Sequence, residues 1–171
     1  MLRWLFLLVG ISSIWNCSAD SSLAISREKE ANMFGKGKNE ETFVIASPLA
    51  GVLLQDGKPV ANARILRRLT WNGNEEGVLQ EFSTDGDGRF SLPAHEESLS
   101  FNFLVQFVAK SKIYVEREES DQLIWYAPKF SKELYSEMGG ELKGVTCDLL
   151  NPKNAVDIGS WRVLTRCSWQ Q

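Results

Sequence analysis

From residue 42 onward the sequence consists of short apolar runs separated by glycine, proline, asparagine and aspartate. Each run has about the length of a single β-strand, and turn residues follow it closely. This pattern is typical of a β-sandwich and differs from that of helices alternating with strands. The sequence therefore predicts one all-β domain over residues 42–171, with about eight strands.

The clearest predicted strand covers residues 101–109, where aromatic and apolar side chains alternate with polar ones. Phe101, Val105 and Phe107 would share one face with Phe103 and Ala109, and this face should belong to the core. The other predicted strands cover residues 43–46 leading into 51–55, 63–71, 78–83, 89–92, 112–117, 122–126, 145–149 and 161–169.

One short helix is predicted at residues 131–138. Ser131 can cap its N-terminus, and the pair Gly139 and Gly140 can end it. Such a helix would connect two strands across one end of the sandwich.

The predicted strand 63–71 contains a conflict, because alternation places Arg67 on the same face as Ile65 and Leu69. A bulge or a position at the edge of a sheet would each resolve it. The sequence leaves both solutions open.

The N-terminal segment differs from the rest of the chain. Arg3 supplies a positive charge, and residues 4–11 are apolar and uncharged. A membrane-spanning helix needs about 20 apolar residues, but Ser12, Ser13 and Asn16 interrupt this run earlier. We therefore predict a cleavable signal peptide at residues 1–19, with an uncleaved anchor as the alternative.

Two processing sites compete around Cys17. Ser18 and Ala19 are small residues that suit a signal peptidase, which predicts cleavage after Ala19. Alternatively, Cys17 is the lipidated residue of a lipoprotein, although Trp15 and Asn16 occupy positions that normally hold small residues. The polar, charged segment 20–41 that follows is predicted to be a flexible leader.

Charge restricts the class of partner. Removal of Arg3 with the signal peptide leaves 18 basic against 22 acidic residues, a net charge of −4. Nucleic-acid binding usually requires a basic surface, so no nucleic-acid partner is expected. Contact with a membrane is expected only through the signal peptide or a lipid anchor.

Cysteine usage fits an exported protein. With Cys17 removed or lipidated, Cys147 and Cys167 remain as a pair in a compartment that permits disulfides. We predict a Cys147–Cys167 disulfide, which would stabilise the fold by about 3 kcal/mol in the chain-entropy model. Two buried free thiols are the alternative.

Two segments resemble the transthyretin-like, carboxypeptidase-regulatory-like domains. Residues 51–65 read Gly-Val-Leu-Leu-Gln-Asp-Gly-Lys-Pro-Val-Ala-Asn-Ala-Arg-Ile, similar to the family's Gly-x-Val, Gly-x-Pro-Val and Ala-x-Val. Residues 84–92 read Thr-Asp-Gly-Asp-Gly-Arg-Phe-Ser-Leu, which looks like Thr-Asp-x-x-Gly-x-Phe-x-Leu. The resemblance covers residues 51–93 and implies a Greek-key sandwich of seven strands that serves as an accessory or binding domain.

Enzymes that carry this fold are not matched. The chain has no carboxypeptidase catalytic domain, and its last five residues, Cys-Ser-Trp-Gln-Gln, differ from the terminal Tyr-Arg-Gly-Ser of the hydroxyisourate hydrolases. The common sequence motifs of nucleophilic, redox, metalloprotease and nucleotide-binding enzymes are also missing from the sequence. The sequence favours a protein that is not an enzyme and needs no cofactor or metal.

Two motifs could bind a metal ion but have simpler interpretations. Asp85-Gly86-Asp87-Gly88 is similar to part of a calcium loop, yet it lacks the later ligands, so a tight hairpin is the preferred interpretation. His95, the only histidine, is followed by two glutamates and is expected in an exposed loop.

Two surfaces are candidates for binding. Trp125 and Tyr126 could anchor a sugar or a protein, although aromatic residues more often fill a sandwich core. The acidic segment 116–121, with Glu118, Glu119 and Asp121, could attract a basic protein partner, although a solvated loop is the simpler alternative.

These observations predict an exported protein, periplasmic or secreted, that binds a protein partner in the cell envelope, as an adaptor, inhibitor or immunity-type protein does. A structural or carbohydrate-binding domain on the cell surface is the alternative. A hydrolase with a site near His95 is the third hypothesis.

Overall fold

The computed structural model describes residues 40–101 and 104–170. These residues form thirteen strands and no helix. The strands are β1 (Glu41–Ala46), β2 (Leu49–Gln55), β3 (Lys58–Pro59), β4 (Arg64–Trp71), β5 (Asn74–Ser83), β6 (Arg89–Leu92), β7 (His95–Leu99), β8 (Ala109–Val115), β9 (Gln122–Lys129), β10 (Lys143–Asp148), β11 (Asn154–Ile158), β12 (Trp161–Thr165) and β13 (Cys167–Gln170). The predicted signal peptide, Cys17 and nearly all of the leader lie outside the described residues.

The strands form two large sheets and a two-stranded ribbon. One sheet has the order β13-β10-β2-β3, and β6 also pairs with β2. The second has the order β11-β12-β9-β8-β4-β5, and β1 pairs with β7 in the ribbon. All pairings are antiparallel except that of β2 with β10. This arrangement confirms the all-β, sandwich-like prediction.

The main core lies between the two large sheets. Leu53 from β2 and Val145 from β10 pack in one cluster with Ile65 from β4 and Ile113 from β8. Alternation explains this, because every second residue of β4 and β8 is buried and the residues between them are mostly accessible. A second cluster forms where Phe43 and other β1 residues pack on the opposite end of β4.

The prediction of a strand at residues 101–109 is wrong for the part of this segment that the structure describes. β8 begins only at Ala109, where it pairs with Trp71 at the end of β4. Beyond Trp71 no neighbouring strand continues, and the Asn72 side chain instead bonds to the backbone of Gln106 and Val108. Phe101 and Phe107 still pack on Phe43, with ring centroids 5.2 and 4.9 Å away. The alternation therefore reflects aromatic packing of a loop.

The helix predicted at residues 131–138 is also wrong, because this segment forms bends and turns. The Tyr135 N–H, which a helix would use within the segment, has a partner outside it. The Glu133 carbonyl accepts hydrogen bonds from Lys129 Nζ and from the Ser136 hydroxyl, and the Tyr135 N–H donates to the Ser47 hydroxyl. Tyr135 also has a φ of 59°, which no α-helix contains.

Arg67 occupies neither an edge nor a bulge. It lies in β4, which is flanked by β5 and β8 with continuous pairing at this position. The C-terminal strand predicted at residues 161–169 is divided into β12 and β13, which belong to different sheets. No helix among the described residues is long and apolar enough to cross a membrane.

Candidate functional site

A groove lies beside the loop between β8 and β9. It has a volume of about 860 Å³ and is formed by residues 116–121, Gln122, Leu123, Lys153 and Arg166. The structure therefore places Glu118, Glu119 and Asp121 together along one groove. We refer to it as the acidic groove.

Some charges of the acidic groove already have partners. Glu116 forms an ion pair with Arg64 at 2.6 Å, and Arg117 donates a hydrogen bond to the Gln55 side chain. Arg166 donates to the backbone carbonyls of Leu123 and Asn151, which fixes its guanidinium at the edge of the groove. These contacts hold the loop in place.

Three carboxylates of the same groove remain available. Glu118, Glu119 and Asp121 are exposed, and none forms an ion pair within the described part of the chain. Because neighbouring carboxylates repel one another, a cationic ligand would gain from all three. The groove therefore combines fixed walls with three unpaired carboxylates, and Lys153 is an exposed cation on the same lining.

An accessible apolar pair lies near the acidic groove, on the outer face of the six-stranded sheet. Tyr126 of β9 is directly opposite Leu164 of β12, and Leu164 is 40% exposed. Leu123 lies on the same strand as Tyr126 and lines the groove. An apolar centre with a charged rim is the usual composition of a protein interface.

The structure separates the two aromatic residues of the predicted Trp125–Tyr126 pair. Trp125 is only 3% exposed and packs in the main core, where its ring lies 5.7 Å from that of Trp169. Trp71 is buried as well. Successive side chains on a strand point to opposite faces, so only Tyr126 remains accessible.

The segment Asp85-Gly86-Asp87-Gly88 is a turn between β5 and β6. One carboxylate oxygen of Asp85 accepts the backbone N–H groups of Asp87 and Arg89, and Gly88 has a φ of 74°. The left-handed turn that the sequence predicted is confirmed, but the prediction of a hairpin is wrong, because β5 and β6 belong to different sheets. No cluster of three or more His, Cys, Asp or Glu side chains suited to a metal occurs within residues 40–101 and 104–170.

His95 lies in β7 and not in an exposed loop. Its Nε2 is 3.0 Å from Glu97 and its Nδ1 is 3.2 Å from Gln80 Nε2. Gln80 Oε1 in turn accepts a hydrogen bond from Arg67. Both ring nitrogens of His95 are therefore engaged in a network that positions Arg67.

A buried charge cluster, which the sequence analysis did not find, holds the segment 131–140 against β1 and β2. Lys129 donates to Glu137, and both Glu137 carboxylate oxygens accept hydrogen bonds from Ser47. Burial lowers the pKa of Lys129, and its hydrogen bond to Glu137 opposes this shift. The sequence signal was weak, since Lys129 lies at the end of a strand otherwise rich in apolar residues.

Cys147 and Cys167 form a disulfide between β10 and β13, where the two residues are directly opposite each other. The pairing is the one predicted from the sequence. Next to Cys147, the Asp148 carboxylate accepts the backbone N–H groups of Asp56, Gly57 and Leu150. These hydrogen bonds lower the pKa of Asp148, and the one from the Leu150 N–H has the largest effect.

The fold defines a disulfide-linked, all-β, sandwich-like domain with a charged groove at one end. The chain belongs to the family described as Domain of unknown function (DUF6795), whose model matches residues 49–152. The match begins with β2 and ends after β10, so it includes the acidic loop and Cys147 but not Cys167. No curated protein and no solved structure matches the chain.

Proposed function

We propose that the protein is an exported, non-enzymatic binding module and that its partner is a protein with a basic surface in the cell envelope. The acidic groove carries this proposal, because it combines about 860 Å³ of space with three unpaired carboxylates. Tyr126 and Leu164 supply the apolar contact that charge alone does not provide. The partner should present lysine or arginine side chains next to an apolar one.

The carbohydrate-binding alternative has less support. Sugar recognition by a protein surface relies on accessible aromatic rings, and the core position of Trp125 leaves Tyr126 as the accessible member of the predicted pair. A hydrolase that uses His95 also has little support, since Gln80 and Glu97 occupy both of its ring nitrogens. In a nucleophilic site one nitrogen would face a serine or cysteine.

We also propose that the sandwich is related to the transthyretin-like domains. The two segments that carry the resemblance are in contact: Gly51 pairs with Phe90, and the Thr84 hydroxyl donates to the Val60 carbonyl. The Ala63 N–H donates to the same hydroxyl. Two motifs that are separate in sequence therefore form one structural unit, as a shared family pattern requires.

Two charge-reversal variants test the binding proposal. E118K/E119K changes the acidic groove, whereas E75K/E76K makes the same change in net charge at the start of β5. The two sites lie at opposite ends of β4, which spans about 23 Å at the usual strand rise. The comparison therefore separates a specific site from a general effect of charge.

The three proteins would be immobilised and exposed to an envelope extract, and captured proteins would be quantified by mass spectrometry. We expect a basic protein to be retained by the unchanged chain and by E75K/E76K, with at least tenfold weaker retention by E118K/E119K. Raising the salt concentration should weaken the retained complex. Equal retention by both variants would exclude the acidic groove, and capture of no specific protein would contradict a binding module.

A further inference from the structure

β11 forms one edge of the six-stranded sheet. Its five residues, Asn154–Ile158, pair with β12 in continuous register, and no described strand lies on its other side. In an antiparallel strand the N–H and C=O groups of every second residue point to the same side. The open side of β11 therefore presents a row of backbone donors and acceptors that pairs with no described strand.

An apolar row on the outer face of this sheet leads to the open edge. Tyr126 of β9 is directly opposite Leu164 of β12, and Leu164 is directly opposite Ala155 of β11. Leu164 is 40% exposed, and Ala155 is exposed as well. Side chains at facing positions of neighbouring strands contact one another. Because Ala155 is small, it leaves room for a larger apolar side chain on a strand added beside β11.

The same edge begins at the acidic groove. Lys153, which lines the groove, directly precedes β11, and Arg166, which also lines it, directly follows β12. An extended segment that lies along β11 and continues past its first residue therefore enters the groove. There it meets the three unpaired carboxylates, which favour basic side chains.

β5, the opposite edge of the same sheet, is less suited to strand addition. Its pairing with β4 contains a register shift next to Trp71, and Gly77 has a φ of 75°. The Arg68 guanidinium also donates to the Glu76 carbonyl, so that acceptor is already engaged. An irregular edge is one way in which proteins prevent the addition of a strand. The pairing of β11 has no such interruption.

We propose that β11 is the docking edge for an extended segment of the partner protein, which adds to the sheet as a seventh strand. This inference rests on the proposed function, because the acidic groove supplies the selectivity for a basic partner. All pairings within this sheet are antiparallel, so the added strand runs from the Ile158 end of β11 towards Asn154. In the partner's sequence, the apolar residue opposite Ala155 therefore precedes the lysine or arginine residues that enter the groove.

A synthetic peptide of this pattern, Thr-Val-Thr-Leu-Thr-Arg-Lys-Arg, tests the proposal. Amide hydrogen exchange of the purified protein would be followed by NMR with and without saturating peptide. We expect exchange at alternate residues of β11 to slow at least tenfold, because their N–H groups become hydrogen-bonded to the peptide. The permuted peptide Arg-Lys-Arg-Thr-Val-Thr-Leu-Thr has the same composition and charge and should bind at least tenfold more weakly.

Three variants separate the contributions to peptide binding. Leu164→Ser removes the centre of the apolar row and should weaken binding at least fivefold. Leu79→Ser makes the same change at an exposed leucine of β5 and should leave binding unchanged. E118K/E119K should weaken binding as well, because it reverses the charge in the acidic groove.

The outcomes distinguish this inference from the proposed function. Peptide binding that depends on Glu118 and Glu119 without slower exchange in β11 would retain the acidic groove as a binding site and overturn strand addition. Absence of peptide binding, equal binding of the permuted peptide, or equal losses in Leu164→Ser and Leu79→Ser would also overturn it. The capture experiment with the envelope extract decides the proposed function separately.

Other occupants of the edge are detected in the protein without peptide. Slow exchange at alternate residues of β11 that depends on protein concentration would assign the edge to a second copy of the chain. Slow exchange at every concentration would assign it to the chain's own N-terminal segment. Either result would overturn the proposal.

Discussion

At the level of single residues, a buried polar cluster positions one segment of this fold. Lys129 and Glu137 join the turn segment 131–140 to the connection between β1 and β2 through Ser47. Burial of an ion pair adds little net stability, but removal of one partner leaves a charge in the core. The cluster therefore holds this segment in one position. The contacts of the segment with Ser47 explain why no helix forms there.

Replacement of Glu137 by glutamine should destabilise the protein by about 3 kcal/mol, because Lys129 would remain buried without a countercharge. Glu133→Gln is the matched control, since the Glu133 side chain is exposed, and its effect should stay within about 0.5 kcal/mol. Urea unfolding measures both values. Equal stability of the two variants would show that the buried pair contributes nothing.

The same pair predicts a pH dependence for Glu137→Gln. The pKa of Lys129 is lowered in the folded state, so the cost of burying its charge is present in full at low pH. That cost decreases as the pH rises through the lowered pKa. The stability deficit of Glu137→Gln relative to the unchanged chain should therefore shrink under alkaline conditions, and unfolding curves at several pH values measure it.

Gly88 and Gly86 lie in the same turn but differ in their backbone geometry. A Cβ on Gly88 would lie 2.7 Å from the Leu53 carbonyl oxygen at a φ of 74°, whereas nothing lies within 4 Å of one on Gly86. Gly88→Ala should cost about 1–3 kcal/mol, and Gly86→Ala about 0.5 kcal/mol or less. Thermal unfolding in the absence of added metal provides the comparison. A large loss in Gly86→Ala would refute the described turn geometry.

At the level of elements, the β2–β3 turn depends on the end of β10. The Asp148 carboxylate accepts two N–H groups of that turn, from Asp56 and Gly57, at 3.2 and 2.8 Å. Because β10 and β2 are parallel neighbours, their ends lie side by side, and this contact joins the end of β10 to the turn that follows β2. The disulfide to β13 secures the other side of β10.

Asp148→Asn should make the protein less sensitive to acid. The pKa of Asp148 is lowered in the folded state, so its carboxylate stabilises the fold above the unfolded pKa of about 3.9. This contribution is lost as the pH falls through the lowered value. Melting temperatures measured between about pH 2 and 6 should fall less steeply in Asp148→Asn. Asp87→Asn, on an exposed turn, should keep the original slope.

At the level of the whole molecule, the Cys147–Cys167 disulfide bears on the proposed export. A disulfide persists in an oxidising environment, which is what the proposal of an exported chain requires. The acidic groove then needs a partner that is present in that compartment. The proposals of export and of an envelope partner therefore depend on each other.

Intact-mass analysis of the protein recovered from a bacterial host tests processing. We expect the mass of residues 20–171 less two hydrogens, because cleavage follows Ala19 and Cys147 is joined to Cys167. A chain that begins at Cys17 with an added lipid mass would instead establish the lipoprotein alternative. Recovery of the full-length, reduced protein from the cytosol would contradict export.

The sequence determined the all-β class, most strand positions and the cysteine pairing. Alternation and turn residues are local signals, so β4, β6 and β9 were found close to their observed bounds. The acidic groove was anticipated only as a charged loop. Lys153 and Arg166, which also line it, come from a distant part of the chain that no local pattern connects to it.

Tertiary structure decided where local patterns conflict with long-range partners. Residues 101–109 alternate like a strand, but pairing ends at Trp71, and the aromatic rings pack from a loop instead. Arg67 interrupts the apolar face of its strand. It is tolerated there because the Gln80 side chain and the Pro93 carbonyl accept hydrogen bonds from it in the core. Composition and spacing fix which faces are apolar, whereas the partners of buried polar groups depend on contacts between distant segments.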